Sequence, residues 1–265
     1  MSELRRAAAL FEDRVDRDDY FDAASAEVTK KRLLGLIAEP ERKLLFLLGE
    51  PGVGKTKMLH TLEKVLREEG KRRVVHLKEP FFDPERFLAT LLEAAGEKAE
   101  GPLESLKARA VSHYGEREHL IMIDEAQLMS DPSLEFLRIL ADTKAFSFLL
   151  SMHRKEGEEI LARPHFRSRS HRVVEMGMLR RDEVSEYLKG RLADEKLAKT
   201  AGMLDRRVTD RIHRYSGGNF RFVKRMAQTL FELMDEAREE GIARYRRPNR
   251  CLVDMAALDV GLING

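Results

Sequence analysis

A chain of 265 residues is long enough for one large or two modest domains, each with its own core. Its 48 Lys and Arg nearly cancel 46 Asp and Glu, leaving a formal net charge of +2 that exerts no global pull toward nucleic acid or anionic lipid. The single Cys251 excludes an internal disulfide, no apolar run approaches the roughly 18–20 residues of a membrane span, and the acid-rich N-terminus lacks a secretory core, so a cytoplasmic protein is expected.

Apolar residues at helical spacing predict a first helix from Ala24 to Ile37. Leu44 to Leu48 is a continuous apolar run ending at a glycine, the pattern of a strand buried on both faces. A helix over Lys55 to Glu69 and a strand over Arg73 to Leu77 follow. Asp83-Pro84-Glu85 opens another helix, with Asp as cap and Pro at the first helical position. Leu120 to Ile123 reads as a third strand, Asp131-Pro132 as a helix start, Phe146 to Leu150 as a fourth strand and Val173 to Met176 as a fifth. Beyond Arg180 the strand pattern stops, and helices are predicted over 182–192, 208–215, 220–237 and 252–258. Alternating strands and helices imply an α/β fold, a parallel sheet flanked by helices. The predicted division is an N-terminal extension at 1–22, an α/β nucleotide-binding core at 23–178 and an all-helical lid at 179–265. Met226, Met234 and Met255 fall in the lid helices as core filler. Cys251 reads as a buried small apolar residue.

Residues 49–56, Gly-Glu-Pro-Gly-Val-Gly-Lys-Thr, match the phosphate-loop template in full. Such a loop wraps phosphate with inward-pointing backbone N–H groups, in conformations that a Cβ obstructs. The helix opening at Lys55 adds the positive end of its dipole. Gly49, Pro51, Gly52, Val53, Gly54, Lys55, Thr56 and Lys57 are therefore the candidate nucleotide contacts, with Lys55 on the β- and γ-phosphates and Thr56 on Mg²⁺. About 70 residues later, an apolar strand delivers Asp124 to its C-terminal tip, where ligands sit in parallel sheets. Asp124 suits Mg²⁺ through its water shell, and Glu125 suits the general base that polarises water. The cofactors read from this set are ATP and Mg²⁺.

These motifs resemble those of AAA+ P-loop ATPases, which pairs the core with a lid over the nucleotide. That resemblance implies a polar first sensor at the fourth strand's tip, with Ser151 as the candidate nucleotide contact and His153 second to it. It also implies a lid arginine facing phosphate. Ser216-Gly217-Gly218-Asn219-Phe220-Arg221 resembles this second sensor, with Arg221 in the first helical turn. DEAQLMSDPSLEFLRIL, ILARPHFRSRSHRVVEMGMLRRDEVSEYLKGRL and SGGNFRFVKRM resemble in turn the acidic motif, lid linker and sensor of the ExeA-like ATPases of secretion and pilus biogenesis, in their short soluble form. The family's Gly-Gln after the fourth strand is replaced here by 151–154, Ser-Met-His-Arg, and the Pro before the sensor arginine by Phe220. Tyr20 and Phe21 stand where family members contact adenine.

The resemblance further implies a homo-oligomer in which an arginine before the fifth strand reaches the neighbouring subunit's nucleotide. Arg167 or Arg169 is the expected finger, with Arg172 third. The expected function is Mg-ATP hydrolysis that drives or regulates a protein partner of secretion or pilus type. The alternative is a DNA-binding transposition regulator related to TniB and Mu B. A second cluster, Arg238, Arg244, Arg246, Arg247 and Arg250, lacks interleaved aromatics apart from Tyr245, and the net charge gives DNA binding no support.

Overall fold

Helices form where apolar residues recur on one face, and strands where short apolar runs end at glycine or acid. The computed structural model describes residues 2–12, 21–41, 44–167 and 171–264. In chain order the elements begin with α1 (Glu3–Leu10), α2 (Ala24–Ala38), β1 (Leu44–Gly49), α3 (Lys55–Glu69) and β2 (Arg73–Leu77). Next come α4 (Pro84–Ala95), α5 (Leu103–Gly115), β3 (His119–Ile123), a 3-10 turn (Ala126–Leu128), α6 (Asp131–Asp142) and β4 (Phe148–His153). After α7 (Arg154–Ala162), α8 (Pro164–Arg167) and β5 (Arg172–Met176) come α9 (Arg181–Asp194), α10 (Ala198–Ala201) and α11 (Arg206–Ser216). Helix α12 (Phe220–Glu239), a second 3-10 turn (Ala243–Tyr245) and α13 (Arg250–Asp259) end the chain.

The chain separates into two compact units. One comprises residues 27–51 and 55–176, the other residues 1–26, 52–54 and 177–265. The first holds a five-stranded, all-parallel sheet in the order β2-β3-β4-β1-β5. β1 and β3 are buried along their whole length, as continuous apolar runs in a doubly covered sheet must be. Leu44, Phe46 and Leu48 of β1 join Ile121, Ile123, Phe148, Leu150 and Met152 in one core, with Phe87, Leu91, Leu106, Leu134 and Leu137 from the covering helices. Helix α3 packs against β1 and β2 and buries Met58, Leu59 and Leu62. The Tyr114 hydroxyl in this core donates to the Leu91 carbonyl at 2.7 Å, and burial pushes its pKa up to about 12.

The α/β fold and each predicted strand are present. The fourth strand sits two residues later than its apolar run suggests. Phe146 is buried on the rings of Phe148 and Tyr114, and Ser147 O accepts from Ile121 N, so the apolar run starts before the strand does. Helices α5 and α7 are additional to the sequence prediction. α5 buries Leu106, Ala110 and Tyr114, a face whose small residue obscures its period. α7 carries Gly157, where a Cβ would stand 2.5 Å from Leu48 Cδ2.

The second unit is helical. Its core joins Leu4, Ala7 and Phe11 to Val184 and Leu188 of α9, Ile212 of α11, Met226, Leu230 and Phe231 of α12, and Val253 and Ala256 of α13. Residues 2–11 thus belong to this core, where the sequence suggested an extension. Phe11 stacks on Phe231 at 6.0 Å between ring centroids, and Arg5 pairs with the buried Asp235 at 2.7 Å. Met226 and Met234 are buried as expected. Met255 is not core filler, because it lies on the outer side of α13 and is 37% exposed. Cys251 is half-buried rather than buried, with Sγ 3.5 Å from the Tyr245 hydroxyl. Glu183 is fully buried and accepts from Ser25 N and Oγ and from Arg180 N, closing a capping box at the start of α9.

Candidate functional site

β1 lies between β4 and β5, neither of which adjoins it in sequence, so its C-terminal end opens at a switch point of the sheet. Residues 49–56 leave the sheet there and enter α3. Gly52 (φ 81°) and Gly54 (φ 104°) both occupy the left-handed half of backbone space. Side chains at these positions would strain the turn, which explains the glycines. Pro51 is exposed, Val53 is buried beneath the loop, and Lys57 is half-buried on the first turn of α3. The Lys55 ammonium is 95% buried with its residue and donates to Gly49 O at 2.9 Å and to Glu50 O at 3.2 Å. A cation is thus held inside a curl of backbone.

The Thr56 hydroxyl donates to Asp124 Oδ2 at 2.7 Å. Asp124 Oδ1 accepts from Glu125 N at 2.9 Å, and Asp124 N donates to Leu77 O at the end of β2. The carboxylate is therefore fixed at both oxygens and at its own backbone. Glu125 follows with φ 49°, a left-handed conformation uncommon for a side chain of this kind. Its Oε2 accepts from Gln127 Nε2 at 2.5 Å and lies 3.4 Å from His153 Nε2. Gln127 Oε1 in turn accepts from His153 N at 3.3 Å, tying the tips of β3 and β4 together.

Ser151 and His153 diverge. Ile123 pairs with Leu150, so Ser151 is level with the Asp124 tip, where it is fully buried with an Oγ lacking a partner among the described residues. His153 pairs with Gly49 and reaches the Glu125 carboxylate. Of the two first-sensor candidates, His153 is the one brought to Glu125. Gln127 was not singled out from the sequence. Its role depends on the β3–β4 register, and the only signal for it was its place two residues after Glu125.

In the helical unit, Gly217 ends α11 in the left-handed conformation and Asn219 caps α12, its Oδ1 accepting from the amides of Arg221 and Phe222. The Arg221 amide also donates to Gly52 O at 3.1 Å, and Arg221 is exposed. A Cβ on Gly52 would lie 2.7 Å from Asn219 Oδ1, a second reason for glycine there. Gly218 packs backbone to backbone on Leu179, where a Cβ would stand 2.1 Å from the Leu179 carbonyl. Among the arginines before β5, Arg163 is engaged by Asp131 at 2.7 Å. Arg167 and Arg172 are exposed and have no carboxylate partner among the described residues. Arg169 and Tyr20 lie outside the described residues.

Residues 39–161 match the AAA domain family, a span that contains the loop, Asp124, Glu125 and both sensor candidates. The match spans just under half of the chain. Three solved structures agree in fold with the AAA domain and the helices after it. The Drosophila ORC bound to DNA is 14% identical over 96% of this chain and 65% of that one, with a TM-score of 0.62. Cdc6p from Pyrobaculum aerophilum is 16% identical over 88% of this chain and 66% of that one, at 0.59. Domain III of the Thermotoga maritima replication initiation protein DnaA is 15% identical, over 91% of this chain and 95% of that one, at 0.56. The chain spans just under two thirds of the first two. No curated protein matches the chain in sequence. The sheet with its phosphate loop thus has the AAA+ P-loop fold.

Proposed function

We propose that this protein is an AAA+ ATPase that binds and hydrolyses Mg-ATP and couples the nucleotide to its own assembly and to a protein partner. The observation that carries the reading is the Thr56–Asp124 bond beside a loop that turns on two positive-φ glycines. A hydroxyl and a carboxylate suit Mg²⁺, which keeps several waters and takes its remaining ligands from phosphate oxygens. Bound Mg²⁺ would neutralise charge between the β- and γ-phosphates, with Thr56 and Asp124 as its protein contacts. Lys55 adds its charge to the same phosphates. Glu125 Oε1 carries no hydrogen bond to the described residues and is the atom assigned to take a proton from the attacking water. Gln127 and His153 hold the other oxygen, which fixes the carboxylate plane. His153 is our first sensor, since the γ-phosphate and Glu125 would compete for its ring. Arg221 is our second sensor, and Arg167, Arg169 or Arg172 the finger supplied by a neighbouring copy.

The partner complex follows from the ExeA-like resemblance: a secretion or pilus assembly worked from the cytoplasm. Among the described residues no helix is long and apolar enough to cross a membrane. A DNA-associated role of the transposition-regulator kind is the second reading, favoured by the cationic residues around Arg246. The protein is tested first with a fluorescent ATP analogue and a phosphate-release assay. Lys55→Ala is expected to abolish analogue binding, and an unchanged affinity would end the ATPase reading. Size-exclusion chromatography with a non-hydrolysable analogue, with and without DNA, separates the two assemblies: a larger species only on DNA favours the second reading.

A further inference from the structure

A cleft of about 540 Å³ lies within the helical unit, between α1, α10 and the end of α12. Its floor is apolar, formed by Leu4 and Met203, and its rim is cationic, formed by Lys199, Arg238 and Arg246. All three cations are exposed, and none has a carboxylate partner among the described residues. The one acid in the lining, Glu3, accepts from the Thr200 hydroxyl at 2.6 Å, which turns its charge toward α10. Arg244 and Arg247, also exposed and without an acid partner, extend the row along the turn beyond α12. Arg250, by contrast, is engaged by Asp254 at 3.6 Å.

A helix C-terminus attracts cations, so the end of α12 accounts for Arg238. It does not account for Arg246, Arg244 and Arg247, which lie past the helix, or for Lys199 on a different element. Other arginines of this unit are met by acids, Arg5 by Asp235 and Glu239, Arg181 by Asp210, and Arg211 by Asp254. What sets this cleft apart is that Lys199, Arg238 and Arg246 line one cavity, with a single acid among them.

We infer that this cleft and the arginine row beside it bind the phosphodiester backbone of double-stranded nucleic acid. A single acidic side chain occupies one guanidinium. A row of four arginines and a lysine matches a polymer that carries charge at every step. Duplex fits better than single strand, because the only aromatic in the row, Tyr245, has its ring 5.5 Å from the Arg244 guanidinium and its hydroxyl on Cys251. It offers no stacking platform for an unpaired base. Binding is therefore electrostatic and indifferent to sequence. This site does not depend on the ATPase reading, since no residue of it belongs to the nucleotide site.

The test is fluorescence anisotropy of the full chain with a labelled DNA duplex across a salt series, with Arg238→Ala/Arg246→Ala as the variant. The intact protein is expected to bind duplexes of unrelated sequence alike, with affinity falling steeply as salt rises. Loss of two phosphate contacts should lower the slope of log affinity against log salt by about 2, and affinity about tenfold at moderate salt. The Arg238→Lys/Arg246→Lys protein should keep most of the slope. Both variants should bind the fluorescent ATP analogue as the wild type does, which separates failure here from failure of the nucleotide site. No duplex binding at low salt, an unchanged slope in the alanine variant, or tighter binding of polyglutamate or of single-stranded DNA than of duplex would each overturn the proposal.

Discussion

Thr56 and Asp124 are 68 residues apart in sequence and share a 2.7 Å hydrogen bond that joins the first turn of α3 to the tip of β3. The bond holds together the hydroxyl and the carboxylate that we propose as the protein contacts of Mg²⁺. Asp124→Asn keeps the shape but removes the charge and offers the hydroxyl an amide. ATP turnover should fall about 10- to 100-fold, the usual effect of disturbing a metal's supporting groups. Thr56→Ser should retain most of it. In both cases, the Mg²⁺ concentration for half-maximal turnover is the readout, and an unchanged requirement in Asp124→Asn would remove Asp124 from the metal site.

Glu125 and Gln127 divide one task. Glu125→Gln removes the basic oxygen and should lower the turnover number by about 10² or more while ATP stays bound. Gln127→Ala leaves the base in place but frees its plane and the β4 tip, since both Gln127 bonds are lost. Its turnover number should fall less, by about tenfold, with analogue affinity nearly unchanged. Robust hydrolysis by Glu125→Gln would sink the base assignment, and a wild-type turnover number in Gln127→Ala would sink the clamp.

Three residues other than glycine have positive φ among those described: Glu125, Lys144 and Lys196. Lys144 and Lys196 each sit just past a helix C-terminus, where a left-handed residue is routine and glycine is preferred. Glu125 follows a strand, so the same conformation there is strain at the residue proposed as the base. Lys144→Gly and Lys196→Gly should each stabilise the protein by up to about 1 kcal/mol, with ATP turnover unaltered. Glu125→Gly should gain comparable stability and lose hydrolysis. Thermal unfolding beside phosphate release measures both. A loss of stability in Glu125→Gly would mean that its contacts outweigh its strain.

Glu183 contributes to the acid limb of the helical unit. Burial pushes its carboxyl up, but hydrogen bonds from the Arg180 and Ser25 amides, the Ser25 hydroxyl and the Arg180 guanidinium outweigh it and hold the group below its ordinary 4.5. A depressed folded value means that the unfolded chain takes up the proton first. The stabilisation is present above pH 4.5 and is lost as pH falls through the depressed folded value. Glu183→Gln should therefore be less stable than wild type near neutral pH, with the gap closing in acid. Urea midpoints from neutral pH down to pH 3 or so would show it; parallel curves would contradict it.

What the sequence revealed and what it hid follow one physical line. The phosphate loop, Asp124 and the three most buried strands were readable because each is local: glycines, a Lys-Thr pair, and apolar runs ended by acid. His153 and Gln127 were not readable as partners of Glu125, because their meeting depends on the offset between β3 and β4. Phe146, Phe148 and Tyr114 pack together at that offset, a long-range arrangement that no local pattern encodes. Residues 2–11 were hidden for a related reason. Glu3–Leu10 is too short to hold a helix alone, and its support comes from Phe231 and Asp235 more than 200 residues away.

The remaining arginines decide whether turnover is a property of one subunit or of two. Arg163 is already engaged by Asp131, whereas Arg167 and Arg172 are exposed with no carboxylate to satisfy. If one of them completes a neighbour's site, turnover per subunit must rise with protein concentration. Arg167→Ala or Arg172→Ala should then lower the assembled rate by about 10³ without changing ATP affinity. Complementation makes the test sharper. An arginine variant keeps its own Lys55 and Glu125, whereas Glu125→Gln keeps its arginines. Mixing the two inactive proteins should restore hydrolysis, because some interfaces then pair an intact base with an intact finger. Turnover independent of concentration, or mixtures as inactive as their components, would place the whole reaction within one subunit.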